Sequence, residues 1–222
     1  CNGLVDEDNG ICLAAYQFPH WGVNIPIRDA LRPHLPENVP VHVDSWWRHL
    51  AHGEMHFSEN GDNRRFFMIG NSADYICGGL VANGQVCRGA TGFAGEIGHL
   101  TGESRSDSKG VCGGTGCLEA LVAPSVVLKR AVARRSEFPN SSVFAADLTG
   151  GLADVGRAAA SGDALGRQLM DEIAGYFAVA LNNIIQICDP GEVVFLGDYA
   201  ACGEYFLELL RRRIFEQNLH GN

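Results

Sequence analysis

Gly92-Phe-Ala-Gly-Glu-Ile-Gly-His99, followed by Gly110-Val-Cys112-Gly-Gly-Thr-Gly-Cys117-Leu-Glu119, is the stretch on which the reading of this chain turns. Glycines let a backbone turn tightly and come close to a ligand. Glu96 and His99 are three residues apart, so one helical turn sets them on the same face. A carboxylate accepts hydrogen bonds from sugar hydroxyls; an imidazole can do the same or bind a metal. Cys112 and Cys117, coming after His99, read as a partial zinc set.

These segments resemble the ROK family of bacterial sugar-responsive repressors and sugar kinases. The family pattern is roughly G-x-x-G-E-x-G-H, a loop, then C-x-C-G-x-x-G-C-x-E. Glu96, His99, Cys112, Cys117 and Glu119 match it, whereas Gly110 stands where the family has a cysteine. The resemblance runs from Gly3-Leu-Val-Asp6 to the helix after Leu196. It implies the two-lobed α/β fold of sugar kinases and actin-like ATPases (ribonuclease H-like), incomplete at both ends. Residues 1–88 then hold the remainder of the amino-terminal lobe and the start of the carboxyl-terminal one. Residues 89–222 hold the rest of the carboxyl-terminal lobe.

Working outward, 222 residues suit one large domain or two modest lobes. A hydrophobic share of 46% with 28 glycines points to a loop-rich α/β protein rather than a disordered chain. The net charge of −9 repels phosphate backbones, so this chain by itself is a poor nucleic-acid binder. No apolar run reaches about 18 residues, which argues against a membrane span. The eight cysteines lack a small-secreted-domain pattern and read as reduced thiols of a cytoplasmic protein. The chain opens at Cys1 without an initiator Met and reads as a trimmed piece of a longer protein.

Along the chain, Asp6–Gly10 reads as a turn between short apolar segments, and Val39–Val43 as a short strand. A helix follows, capped by Asp44 or Ser45. Arg65–Ile69 reads as a buried strand, Ala73–Gly79 as a loop, and Gly78–Gly84 as a hairpin with an Asn-Gly turn. A helix over Leu118–Ala133 is broken near Pro124. The longest helix begins after Ser161-Gly-Asp163, with Leu165, Leu169, Ile173, Phe177, Leu181 and Ile184 on its inner face. Asp189-Pro-Gly191 ends it, Glu192–Leu196 reads as a buried parallel strand, and a last helix spans about 200–217.

The resemblance places hydroxyl-binding roles on Glu96, His99 and Glu119. Family kinases carry E-N-D-A-N where this chain turns into the helix after Asp44, the Asn and Asp gripping sugar and the Asp serving as base. A gapless match puts Ser45 and Trp46 there, and an indole has no basic site. A two-residue slip restores the acid as Asp44 but breaks the match of the preceding strand. Trp46 could stack on a ligand or plug the pocket. Two glycine-rich phosphate turns of the kinases fall on Asp74-Tyr75 and Gly197-Asp198-Tyr199. A carboxylate about 4 Å from a phosphate costs on the order of 4 kcal/mol at an effective dielectric of 20. The resemblance also implies zinc on the His plus three Cys. Here His99, Cys112 and Cys117 remain, with Asp107 or Ser108 to complete the shell, or else the thiols are simply structural.

The expectation is an effector-sensing and oligomerising domain of a ROK-type transcriptional regulator, binding a sugar or sugar derivative without phosphorylating it. Its contacts would be Glu96, His99, Glu119, Ser45 and Trp46, with no catalytic residue and no ATP or magnesium. Operator DNA would be reached through an amino-terminal domain absent from this chain, in a homodimer or homotetramer. The alternative is an ATP-dependent kinase of a hexose or N-acetylmannosamine.

Overall fold

The computed structural model describes residues 1, 3–15, 18–58 and 64–217. Two units are distinguished, one of Cys1–Phe67 with Gly79–Gly95, the other of Met68–Gly78 with Glu96–Asn222.

In the first unit β1 (Leu4–Asp6), β2 (Ile11–Ala14) and β3 (Val23–Ile25) form an antiparallel sheet, with Val5 facing Cys12 and Cys12 facing Ile25. The turn expected over Asp6–Gly10 joins β1 to β2. α1 (Ile27–Leu31) continues into a 3-10 turn, Arg32–His34. The strand expected over Val39–Val43 is not formed; the segment is irregular. Pro40 has no N–H to give to a ladder. The carbonyls of Val39 and Val41 accept instead from Arg32 at 2.8 Å and Arg28 at 3.2 Å.

α2 (Trp46–Phe57) starts from Ser45 in an extended conformation, but the Ser45 hydroxyl makes no cap. The first backbone donors are met otherwise: Ser45 N–H gives to Asp44 Oδ1 at 2.7 Å and Trp46 N–H to the Cys1 carbonyl at 3.0 Å. Trp47, Ala51 and Met55 form the buried stripe of α2 at helical spacing.

A four-stranded sheet has the order β6-β5-β4-β7, from β4 (Phe66–Ser72), β5 (Tyr75–Ala82), β6 (Gln85–Val86) and β7 (Glu192–Leu196). The loop expected over Ala73–Gly79 shrinks to a turn at Ala73-Asp74, and Tyr75–Gly79 is already strand. Ile76 and Cys77 are buried there, which only an extended, paired backbone allows at no cost in unmet polar groups. The Asn-Gly turn is as expected, with φ of 54° at Asn83 and 70° at Gly84, the left-handed pair a two-residue hairpin requires.

In the second unit α3 (Leu118–Val122) and α4 (Pro124–Ala133) are separated at Ala123, with Pro124 opening α4. α5 (Leu152–Ala160) leads to α6 (Ala164–Cys188), the axis of this unit. Asp163 caps α6 by accepting from Gly166 N–H at 2.9 Å. The six inner-face residues read from the sequence are all buried. Asp189, at φ 44°, turns left-handed and stops the helix ahead of Pro190. β7 lies at the sheet edge and is half-buried at every position, not buried as expected. α7 (Glu204–Gln217) packs on α6 through Phe206, Leu209 and Leu210, after a separate 3-10 turn at Ala200–Cys202.

Candidate functional site

Glu96 precedes a 3-10 turn, Ile97–His99, held by His99 N–H to the Glu96 carbonyl at 3.1 Å. In a 3-10 turn residues three apart eclipse, and His99 Nε2 comes to 3.8 Å from Glu96 Oε2. Glu119 sits in the first turn of α3, whose start is tied back by Leu118 N–H to the Leu100 carbonyl at 2.8 Å. The Glu119 carboxyl is buried, and its Oε2 accepts from Ile76 N–H at 3.3 Å. Its Oε1 is also buried and meets no hydrogen-bond donor among the described residues. Burial pushes this carboxyl up to about 7, with Glu96 and Asp74 adding to the rise and the Ile76 N–H opposing it. Gly98 makes the arrangement possible: a Cβ there would lie 2.4 Å from the Ile76 carbonyl oxygen and 3.1 Å from Glu119 Oε2. Carboxylate, imidazole and a second carboxyl raised by its burial are thus gathered in the second unit.

The same His99 joins Cys112 and Cys117 in a group whose donor atoms all lie within 4.8 Å of one another. The two Sγ atoms are 3.6 Å apart. A tetrahedral zinc with thiolates at about 2.3 Å has a sulfur–sulfur edge of about 3.8 Å, so the donor set fits that ion. Burial, then the neighbouring Cys112 thiol, pushes the Cys117 thiol up. Asp107 is outside the group among the described residues. Ser108 braces the loop through its backbone, giving to Ser106 Oγ and accepting from Gly116 N–H. Gly110 lies against both sulfurs: a Cβ on it would be 3.4 Å from Cys117 Sγ and 3.5 Å from Cys112 Sγ.

Ser45 and Trp46 belong to the first unit. Ser45 is buried, Trp46 half-buried. It is Trp47 that is core, its ring lying over Gly79, where a Cβ would meet it at 2.1 Å. Sequence reasoning missed the charged network beside them. Asp44 bonds Arg48 Nη1 at 2.8 Å and Arg88 Nη1 at 2.6 Å; Arg88 also bonds Glu7 and Arg48 also bonds the Gly92 carbonyl. A cavity of about 330 Å³, lined by Val5–Asp8, Leu13, Arg48 and 88–92, opens on this network. Asp44 and Arg48 at helical spacing were a visible signal; Arg88, far along the chain, was not.

At the two remaining positions, Asp74 accepts from Ser125 Oγ, and Tyr75 is half-buried with its phenol pushed well up by burial and by Glu119. Tyr199 is wholly buried, its hydroxyl donating to the Val122 carbonyl, its ring edge-on to Phe177 at 4.8 Å and 5.4 Å from Phe206. Asp198 Oδ2 accepts from Asn71 Nδ2 at 2.7 Å. Among the described residues no helix is long and apolar enough to cross a membrane.

Comparison with known proteins gives a match to the ROK family model over residues 1–221. A glucokinase of Halalkalibacterium halodurans is 31% identical over 216 residues, 95% of this chain and 63% of that protein. A xylose repressor of Caldicellulosiruptor bescii is 29% identical over 221 residues, 97% of this chain and 53% of that protein. Among solved structures, a ROK family transcriptional regulator homologous to the Escherichia coli MLC protein superposes with a TM-score of 0.82 at 25% identity, covering 98% of this chain and 53% of its own. The chain thus spans less than two thirds of the length of these curated relatives.

Proposed function

This chain belongs to the ROK family, and from that premise we propose that it is the sugar-sensing part of a transcriptional regulator rather than a kinase. It has the family's mixed α/β, sugar-kinase type of fold, and its relatives include both repressors and a glucokinase. The choice between them rests on one observation above all. Where the family's kinases carry a glycine of a nucleotide-binding turn, Tyr199 stands wholly buried, hydrogen-bonded and ringed by Phe177, Phe195 and Phe206. A packed, bonded phenol cannot swing aside without stranding the Val122 carbonyl and opening a cavity. Trp46 as the counterpart of the base, and Asp74-Tyr75 in the other turn, support the same reading. Asp44, the alternative base, is buried and has both oxygens taken by guanidinium groups. Phosphoryl transfer depends on positioned phosphates and a base, and these side chains oppose both.

The sugar side supports binding. Glu119 Oε1 is a buried acceptor with no donor among the described residues, a costly state that a ligand hydroxyl would relieve. Glu96 and His99 supply neighbouring polar groups. His99, Cys112 and Cys117 are the residues that would hold zinc, which would brace the cysteine loop against the 3-10 turn. A ligand preferring one of two conformations would shift their populations, and DNA contact would come from a part of the protein other than this acidic chain.

Two measurements on the purified chain decide. Calorimetry against glucose, N-acetylated hexosamines and xylose is expected to give heat for one class, lost in Glu119→Gln. A coupled assay with magnesium-ATP and each sugar is expected to release no ADP. Sugar-dependent ADP release at kinase-like turnover, on the order of 1–100 per second, would establish the kinase reading favoured by the glucokinase relative.

A further inference from the structure

Gly110 removes one donor from the His99–Cys112–Cys117 group and leaves the other three in place, and this has a chemical result of its own. In a closed four-donor site the thiolates are shielded by their metal and by one another. Here Cys112 is exposed, with exposed residues on either side, while Cys117 behind it is buried. Their sulfurs are 3.6 Å apart. A disulfide requires about 2.0 Å, so the pair must close by roughly 1.6 Å. The intervening residues are Gly113, Gly114, Thr115 and Gly116, and a Cβ at Gly113 would meet nothing within 4 Å. Three of these four residues are glycines, whose backbone freedom is what such a closure would draw on.

We propose that Cys112 and Cys117 form a metal-gated modification site: zinc and an intramolecular disulfide compete for the same two sulfurs, and the oxidant is a small-molecule disulfide. The exposed Cys112 thiolate attacks one sulfur of the oxidant, whose S–S bond breaks, and the first small thiol leaves. Cys117 sulfur then attacks Cys112 sulfur in the mixed disulfide, and the second small thiol leaves. The two cysteines lose two electrons to the oxidant, and their two protons end on the two released thiols. Bound zinc holds both sulfurs and prevents the first attack. The missing fourth donor makes that protection reversible, because a three-donor site releases its ion more readily than a closed one.

The structure also supplies the control. Gly110 is not in a left-handed conformation, and a Cβ there would make only van der Waals contacts at 3.4–3.5 Å, with the two sulfurs and the Cys117 Cβ. Gly110→Cys should therefore fold and restore a four-donor set.

The test treats the whole chain with chelator, then with oxidised glutathione, and reads intact mass and thiol alkylation, with peptide mapping. The expected result is a Cys112–Cys117 cross-link with loss of two alkylatable thiols, blocked by stoichiometric zinc but not by magnesium. Cys112→Ser should abolish that cross-link. Competition with a chromophoric chelator should show Gly110→Cys binding zinc at least tenfold more tightly than the native chain. The proposal falls if both thiols stay alkylatable in the metal-free chain, if the cross-link maps to other cysteines, or if saturating zinc leaves its rate unchanged. It falls equally if Gly110→Cys gains no zinc affinity. None of these readouts uses sugar binding or ADP release.

Discussion

At the scale of single residues, charge burial decides most of what can be tested. Arg48 is almost wholly buried, and its partners are Asp44 and one backbone carbonyl. Asp44→Ala would leave that guanidinium without its counter-charge, which typically costs about 3–5 kcal/mol. Urea unfolding should show the loss; a change below about 1 kcal/mol would mean that the network is dispensable. Glu119 gives a pH signature. Its carboxyl is raised to about 7 in the folded chain from 4.5 in the unfolded one. Below about pH 4 both states hold the proton, and above about pH 8 neither does. Between these limits the unfolded state gives up its proton first, so this group lowers stability as pH rises. Glu119→Gln removes the effect and should gain on the wild type steadily from pH 4.5 to 7, then stay level. A difference that does not vary with pH would refute the assignment. The proximity of Glu96, His99 and Glu119 is legible from their spacing in a glycine-rich frame. Of the two cap candidates, Ser45 makes no side-chain cap, and Asp44, which accepts from Ser45 N–H, also pairs with Arg48 and Arg88; nothing in the local sequence says that Arg88 comes back to it.

Secondary structure elements were legible where a periodic pattern is long. The inner face of α6 was named residue by residue, and Ile173 within it is fully buried. Ile173→Ala should cost about 2–5 kcal/mol, since the surrounding helices close only partly on the space left. The Asn83-Gly84 turn was equally plain. Asn83→Gly should be close to neutral, whereas Asn83→Val, forced to a φ of 54°, should lose on the order of 1–2 kcal/mol. Thermal melts of the pair distinguish these outcomes. The errors lay in short segments. Val39–Val43 alternates like a strand, but its carbonyls are claimed by two arginines. Tyr75–Gly79 has the composition of a loop, yet its glycines sit in β5, one of them because Trp47 needs the room. Tertiary contacts settled both cases, and no window of five residues contains them.

At the scale of the whole molecule, family and fold were readable from one composite motif, because a carboxylate, an imidazole and two thiols at fixed separations leave few other frameworks. The positions read as departures from the family pattern are equally informative: Gly110 inside that motif, Trp46 and Tyr199 outside it, are residues whose physical effects can be followed one at a time. Tyr199 also has a consequence for engineering. Tyr199→Gly would not recreate an open turn, since it removes a ring packed against Phe177, Phe195 and Phe206 and should cost at least 3 kcal/mol. Nucleotide titration of that variant is expected to show no gain in affinity for ATP.

Trp21, Trp46 and Trp47 are the three indoles of the chain, and all of them fall within Cys1–Phe67. Intrinsic emission excited at the red edge of the protein band therefore reports on the first unit alone, while the far-ultraviolet dichroism is dominated by α3 to α7 in the second. The chain comes with two built-in spectroscopic channels, one for each unit, and needs no attached dye to reveal whether they melt together.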